Sequence, residues 1–296
     1  MIEEPIEADR IDVRKTYKLY LGGAFPRSES GRVYPVSDSK GQLLAQAAQA
    51  SRKDVRDAVV AARKAFSGWS GATAYNRGQV LYRVAEMLEG RRAQFETEIR
   101  AAEGLTTRQA AQDVDAAIDR WVWYAGWSDK YAQIAGSTNP VAGPYFNFSL
   151  PEPTGVVGLL APQASSLLGL ISVLAPVIAL GNTAVVITSQ HRPLPAISLA
   201  EVLATSDLPG GVVNLLTGIT SELAPWLASH RDLNALDLTG AAPAERADLQ
   251  RAAADSVTRV YLPREAFGRE DWTADPGTSR LSSFTETKTV WHPIGV

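Results

Sequence analysis

Few side chains able to do covalent or proton chemistry occur among the 296 residues, and they are scattered. There is no cysteine, which removes thiolate nucleophiles, thiolate zinc ligands and disulfides together. The three histidines, His191, His230 and His292, lack the spacing of metal ligands and read as neutral surface residues. Ser165-Ser166 offers paired hydroxyls, but the Gly-x-Ser-x-Gly turn that exposes a serine nucleophile is absent, so a helix cap is the reading adopted. Asp113, Asp115 and Asp119 fall within one helical pattern and are assigned to its solvated side. Glu265 follows Pro263-Arg264 and reads as a surface carboxylate rather than a base.

Composition narrows the partners. A formal net charge of -3 leaves no field to neutralise phosphates, and no Lys/Arg stripe interleaves with aromatics, so nucleic acid is not expected. The longest apolar run, residues 167–180, contains Gly169, Ser172 and Pro176 and falls short of the roughly 20 residues that span a bilayer. It predicts a buried helix and no membrane partner. The first residues carry neither a basic nor an apolar leader segment, which makes the cytoplasm the expected location.

The elements that would position any site are legible from periodicity. Residues 1–16 are polar, aperiodic and read as a loose arm. Residues 17–143 open with short strands and turns. Helices then follow: Ser51 and Asp54 form a capping-box pattern before the apolar stripe Val55, Ala58, Val59, Ala62 and Phe66. One longer helical pattern runs from Val80 to Ile99, a second from Val114 to Ala125, with Gly104 between them. Trp121, Trp123 and Trp127 span more than one face of the second, and core packing accounts for some of them. Residues 144–153 alternate apolar and polar as a half-buried strand does. Over residues 154–262, short apolar runs alternate with helical stretches, the pattern of a parallel sheet with helices on both faces. Residues 263–282 are polar with Pro276-Gly277 and read as a linker, and 283–296 as a terminal strand.

Three motifs in order carry a resemblance: Pro151-Glu152-Pro153-Thr154-Gly155-Val156-Val157-Gly158, Leu180-Gly181-Asn182-Thr183 and Leu208-Pro209-Gly210-Gly211-Val212-Val213-Asn214. With them the chain resembles the aldehyde dehydrogenase superfamily. The helix around Ala61-Ala62-Arg63-Lys64-Ala65-Phe66 and the run Thr287-Lys288-Thr289-Val290 are similar to that family's first helix and C-terminal strand. The resemblance implies a Rossmann-like α/β fold plus a small β oligomerisation module. It also implies that the family's catalytic domain, which bears the cysteine, is missing: the linker 263–282 stands in its place.

Taken residue by residue, the resemblance implies loss of the chemistry. The family's oxyanion-stabilising Pro-Trp-Asn element falls on Pro162-Gln163-Ala164, replacing a donor amide by a methyl group. No glutamate stands at the family's base position after Val260. Ile187 and Gln190 occupy the region of the ribose-binding Lys and Glu, and an aliphatic side chain donates nothing to a hydroxyl. Ala224 replaces a glycine that admits the dinucleotide, while Ala241 and Glu245 replace a serine and a further glycine. A Glu245 carboxylate near a helix N-terminus would repel a pyrophosphate, which implies an anion site filled from within. Gly218, Thr239 and Gly240 are retained and are read as turn-formers of this degenerate cleft.

The expected function is therefore that of a non-catalytic subunit, related to NAD(P)-dependent enzymes but holding no cofactor. Its expected partner is a complete, cysteine-bearing aldehyde dehydrogenase paralogue, joined in a structural or regulatory role; self-association is a second option. The interface residues expected from the resemblance are Tyr145, Phe146, Phe148, Phe284, Val290 and Trp291. A nucleotide-binding protein or NAD-dependent oxidoreductase using a remodelled cleft is the alternative, against which Ile187, Ala224 and Glu245 argue. A product without function is compatible with the same sequence.

Overall fold

The structure, a computed structural model, describes residues 15–263 and 270–295. Most of the expected arm, and Glu265, lie outside these residues. Strands β1 (Thr16–Tyr17), β2 (Val33–Ser37) and β3 (Leu43–Ala48) form a small sheet in the order β1-β3-β2. Thr16, at the end of the stretch read as a loose arm, pairs with Gln46 in β3.

Helix α1 (Arg52–Gly71) starts as expected: Ser51 Oγ accepts the Asp54 N–H, and the Asp54 carboxylate accepts the Ser51 N–H at 2.8 Å. Such reciprocal capping stabilises a helix by about 1 kcal/mol. The predicted helix over residues 80–99 is instead two, α2 (Ala74–Glu89) and α3 (Arg92–Glu103). Glycine is the weakest helix former after proline, and the break falls at Gly90, while Leu81, Val84 and Leu88 on one side and Phe95 and Ile99 on the other still face one core. Gly104, at φ 73°, ends α3 in the left-handed conformation. Helix α4 (Thr107–Trp127) buries Val114, Ala117, Ile118 and Trp121. Helix α5 (Tyr131–Ala135) and strand β4 (Ser137–Asn139) are too short for periodicity to have shown them.

After β5 (Tyr145–Pro153), the alternating region folds as expected. Strands β6 (Val156–Leu160), β7 (Thr183–Ile187), β8 (Val213–Leu216), β9 (Ala235–Asp237) and β10 (Arg259–Tyr261) form one parallel sheet in the order β10-β9-β6-β7-β8. Between them run α6 (Leu168–Ala179), α7 (Leu194–Ala204), α8 (Thr220–Ala228) and α9 (Pro243–Ala254). One apolar cluster joins α2, α3, α4, α6 and α7 to the sheet, and a second joins α1, α8 and α9 to its other face. With both faces covered, every residue of β6, β7 and β8 is buried, as parallel sheets require. The run 167–180 is buried throughout, and no helix among the described residues is long and apolar enough to cross a membrane.

The polar stretch 263–282 is not a free linker over its described part. Arg120 Nη2 donates to the carbonyls of Trp272 and Ala274, and α10 (Ser279–Ser283) buries Leu281 and Arg280. Strand β11 (Thr285–Pro293) then pairs antiparallel with β5 from Thr285↔Pro153 to Pro293↔Tyr145, and β4 pairs on the other side of β5. In this separate sheet Tyr145, Phe146, Leu150 and Trp291 are exposed, while Phe148 and Val290, register partners, are half-buried. Phe284, expected at an interface, is instead a core residue with no exposed surface. Its ring lies 5.9 Å from that of Tyr261, and its carbonyl accepts from Asn182 Nδ2 at 2.9 Å. Strand β11 begins one residue later, at Thr285.

Candidate functional site

Ligands of parallel sheets bind beyond the C-terminal ends of the strands, where helix N-termini offer free N–H groups. Here those ends are occupied by the chain's own side chains. Gln163, after β6, folds back to donate from Nε2 to the Ala161 carbonyl at 2.9 Å and accepts the Gln190 N–H at 2.9 Å. Gln190, after β7, accepts the Thr220 N–H on its Oε1 at 3.2 Å. Thr220 is the first residue of α8, so an internal amide takes a donor that a bound anion would use. Ser189 Oγ adds a bond to the Gln163 carbonyl at 3.0 Å.

Behind this amide chain the packing is continuous. Ile187, Ala224 and Ala241, each no more than 2% exposed, share one apolar cluster with Leu216, Leu223 and Leu238. Gly218, at φ 149°, lies against the Ala50 backbone, so a side chain there would be strained. Gly240 is tighter still: a Cβ would sit 2.0 Å from the Ala161 carbonyl oxygen, and its own N–H reaches Leu160 O at 2.8 Å. Both glycines make turns that close the fold. Ala164 contributes only its carbonyl, which accepts from Arg192. Glu245 lies half-buried in the first turn of α9, where a carboxylate suits the helix dipole, and is not part of the amide chain. A cavity of about 150 Å³ remains beside the amide chain, lined by Gln163, Ala164, Ser165 and Thr239.

Thr239 belongs to a different constellation. Its N–H and hydroxyl both bond Asp237 Oδ1 at the end of β9, and Arg280 from α10 donates to Asp237 Oδ2 at 2.5 Å and to Thr239 Oγ1 at 3.1 Å. Asp237 is wholly buried and Arg280 nearly so. The Arg280 guanidinium lies 4.7 Å from the Tyr261 ring centroid and 5.7 Å from that of Trp272. Nothing in the alternating pattern signalled this pair, because Asp237 ends a strand of the sheet while Arg280 lies inside the stretch read as a linker.

The aldehyde dehydrogenase family profile matches residues 25–265. The chain belongs to the aldehyde dehydrogenase family. Retinal dehydrogenase 2 of Homo sapiens is 32% identical over 263 residues, which are 87% of this chain and 50% of that protein. Among solved structures, HpcC from Thermus thermophilus superposes with a TM-score of 0.77 at 30% identity, over 83% of this chain and 47% of that one. The NAD+ complex of aldehyde dehydrogenase from Bacillus cereus gives 0.77 at 25% identity, over 83% and 50%. The chain spans about half the length of these relatives. Family membership and the α/β fold with a parallel sheet are what the resemblance implied.

The sequence motifs that carry the family resemblance make bonds within the frame. Asn182 accepts the Gly155 N–H and donates to the Val177 and Phe284 carbonyls, tying the start of β6 to the root of β11. Asn214 likewise ties Gly22 to the Gly211 turn. Leu167, not a serine, is the N-cap of α6; Ser165 Oγ still accepts the first-turn Gly169 N–H at 2.8 Å, whereas Ser166 gives its N–H and hydroxyl to Glu103. The assignment of Asp113 to the solvated side is corrected. Asp113 turns inward beside Glu103 and accepts a backbone N–H from Leu168, and burial together with the Glu103 charge pushes its carboxyl up to about 7. Three acidic residues on one helix gave no sign of which would meet a neighbouring helix end. Asp115 and Asp119 are exposed. Among the described residues no group of three or more His, Cys, Asp or Glu could hold a metal.

Proposed function

We propose that this chain is a non-catalytic aldehyde dehydrogenase relative that assembles with a complete, cysteine-bearing member of the family as a structural or regulatory subunit. The observation that carries the reading is the amide chain Gln163–Gln190–Thr220 backed by Ile187 and Ala224, which occupies the strand ends where a dinucleotide would lie. With no cysteine in the sequence, a thiohemiacetal has no nucleophile to form on. Assembly rests on the sheet β11-β5-β4. Tyr145, Phe146, Leu150 and Trp291 leave 43–58% of their surface exposed on a module that is separate from the main sheet. Strand addition to a partner's sheet would satisfy the free edge while the aromatics supply specificity.

The test is coexpression with a full-length aldehyde dehydrogenase paralogue from the same genome, followed by native mass spectrometry. A mixed oligomer is expected, and the variant Phe146→Lys/Leu150→Lys/Trp291→Lys, folded by circular dichroism, should lose it. A chain ending at Thr285 keeps Phe284 in the core and should also fail to assemble. A partner retained by both variants, or a wild-type chain that stays unassociated beside the paralogue, refutes the reading.

A further inference from the structure

The constellation around Arg280 borders a cavity of about 280 Å³, which shares Glu270 and Trp272 with a smaller cavity of about 150 Å³ beside Gln163, Ala164 and Thr239. Tyr261, Trp272, Glu270 and Ser279 form its outer part, and Arg120, Tyr124, Ser172 and Arg280 its inner wall. Two hydroxyls there are unusual. Ser172 is 2% exposed, and its Oγ has no hydrogen-bond partner. Tyr124 has no exposed surface, and its Oη meets the Arg120 guanidinium, a donor, which leaves the Tyr124 O–H without an acceptor. Buried hydroxyls are satisfied in native proteins, by protein, water or ligand.

The charges around them are unequal in their partners. Arg280 is neutralised by Asp237, whereas Arg120, 7% exposed, is bonded to two carbonyls, which supply no charge. Asp275 stands near Arg120 but is exposed to solvent. A guanidinium beside two hydroxyls whose O–H groups lack an acceptor is a donor set for an oxyanion. Glu270, which lines the same cavity, offers a buried Oε1 that also lacks a partner, an acceptor in a cavity that also holds those donors.

We propose that this cavity binds a small carboxylate that also carries a hydroxyl or amino donor. The carboxylate meets Arg120, Tyr124 Oη and Ser172 Oγ, and the donor meets Glu270. Trp272 lies against the bound molecule. The cavity, about 280 Å³, suits a small ligand, and the donors and acceptor that line it suit a hydroxy or amino acid.

The test uses the full chain alone, so its outcome is independent of assembly with a partner. L-lactate, L-serine, propionate and lactamide are titrated by calorimetry and by tryptophan fluorescence. Lactate or serine should saturate, propionate should bind more weakly, and uncharged lactamide should give no saturable signal. Tyr124→Phe and Ser172→Ala, which each remove one oxygen and should fold, are expected to weaken binding several-fold, and Arg120→Gln by about tenfold or more. The proposal is overturned if neither acid saturates, if lactamide or propionate matches lactate, or if the two conservative variants bind as the wild type does. A crystal structure grown with lactate that shows only water on Tyr124 and Ser172 overturns it as well.

Discussion

Arg280 and Asp237 face each other inside the protein, with Nη1 and Oδ2 2.5 Å apart, and so bind the segment after β10 to the end of β9. Removing one partner of a buried ion pair leaves a charge without compensation, which costs about 3–5 kcal/mol. Arg280→Met should therefore lower the denaturant midpoint severely. Arg280→Met/Asp237→Asn should recover part of the loss, because the stranded charge is gone. Equal destabilisation of the single and double variants would show that packing, not charge, governs the site.

Asp113 makes stability depend on pH. Its folded-state value of about 7 lies above the ordinary 3.8, so folding favours the protonated form. The stabilisation is complete below about 3.8 and is lost as pH rises through about 7, over a span worth at most about 4 kcal/mol. Unfolding free energies measured from pH 4 to pH 8 should fall for the wild type, and Asp113→Asn should flatten that fall and be the more stable protein at pH 8. A wild-type profile unchanged by the substitution would place the titration elsewhere.

The amide chain predicts both a ligand result and a stability result. Calorimetric titration with NAD to about 1 mM should show no saturable heat, since a thermal signal there would need affinity above roughly 4 kcal/mol. Gln190→Ala should destabilise the fold by about 1 kcal/mol by uncapping Thr220. Micromolar NAD affinity in the wild type would mean that the strand ends open in solution.

Phe284 and Trp291 should separate core from surface. Phe284→Ala removes a fully buried ring and should cost about 3–5 kcal/mol, whereas Trp291→Ala, on a residue 58% exposed, should change the isolated chain by no more than about 0.5 kcal/mol. Urea unfolding of the two variants distinguishes them directly.

The parts of the fold legible in the sequence are those whose burial repeats along one element. The parallel strands read as unbroken apolar runs because both faces are covered, and the Ser51–Asp54 cap is written in adjacent residues. Gly90 passed unread because the apolar spacing on either side of it served one core. Arg280–Asp237 and Asp113–Glu103 passed unread for a different reason. Each depends on a side chain meeting another element across the fold, and no spacing within one segment encodes that. Gln163 and Gln190 were visible as departures from a family pattern, but their bonding to each other was not.

The apolar cluster that runs from Phe95 and Trp121 through Ile171 to Val186 crosses the boundary between the helices of residues 52–127 and the parallel sheet without interruption. Two regions that share one interior have no separate melting points. The helices cannot come loose while the sheet stays intact, because doing so would strip the α6 face of the sheet bare. Cooperativity therefore gathers the whole body of the protein into a single unit. The β11-β5-β4 sheet, with its aromatic residues in solvent, contributes no residue to that shared interior, and its amide hydrogens should exchange before those of the body.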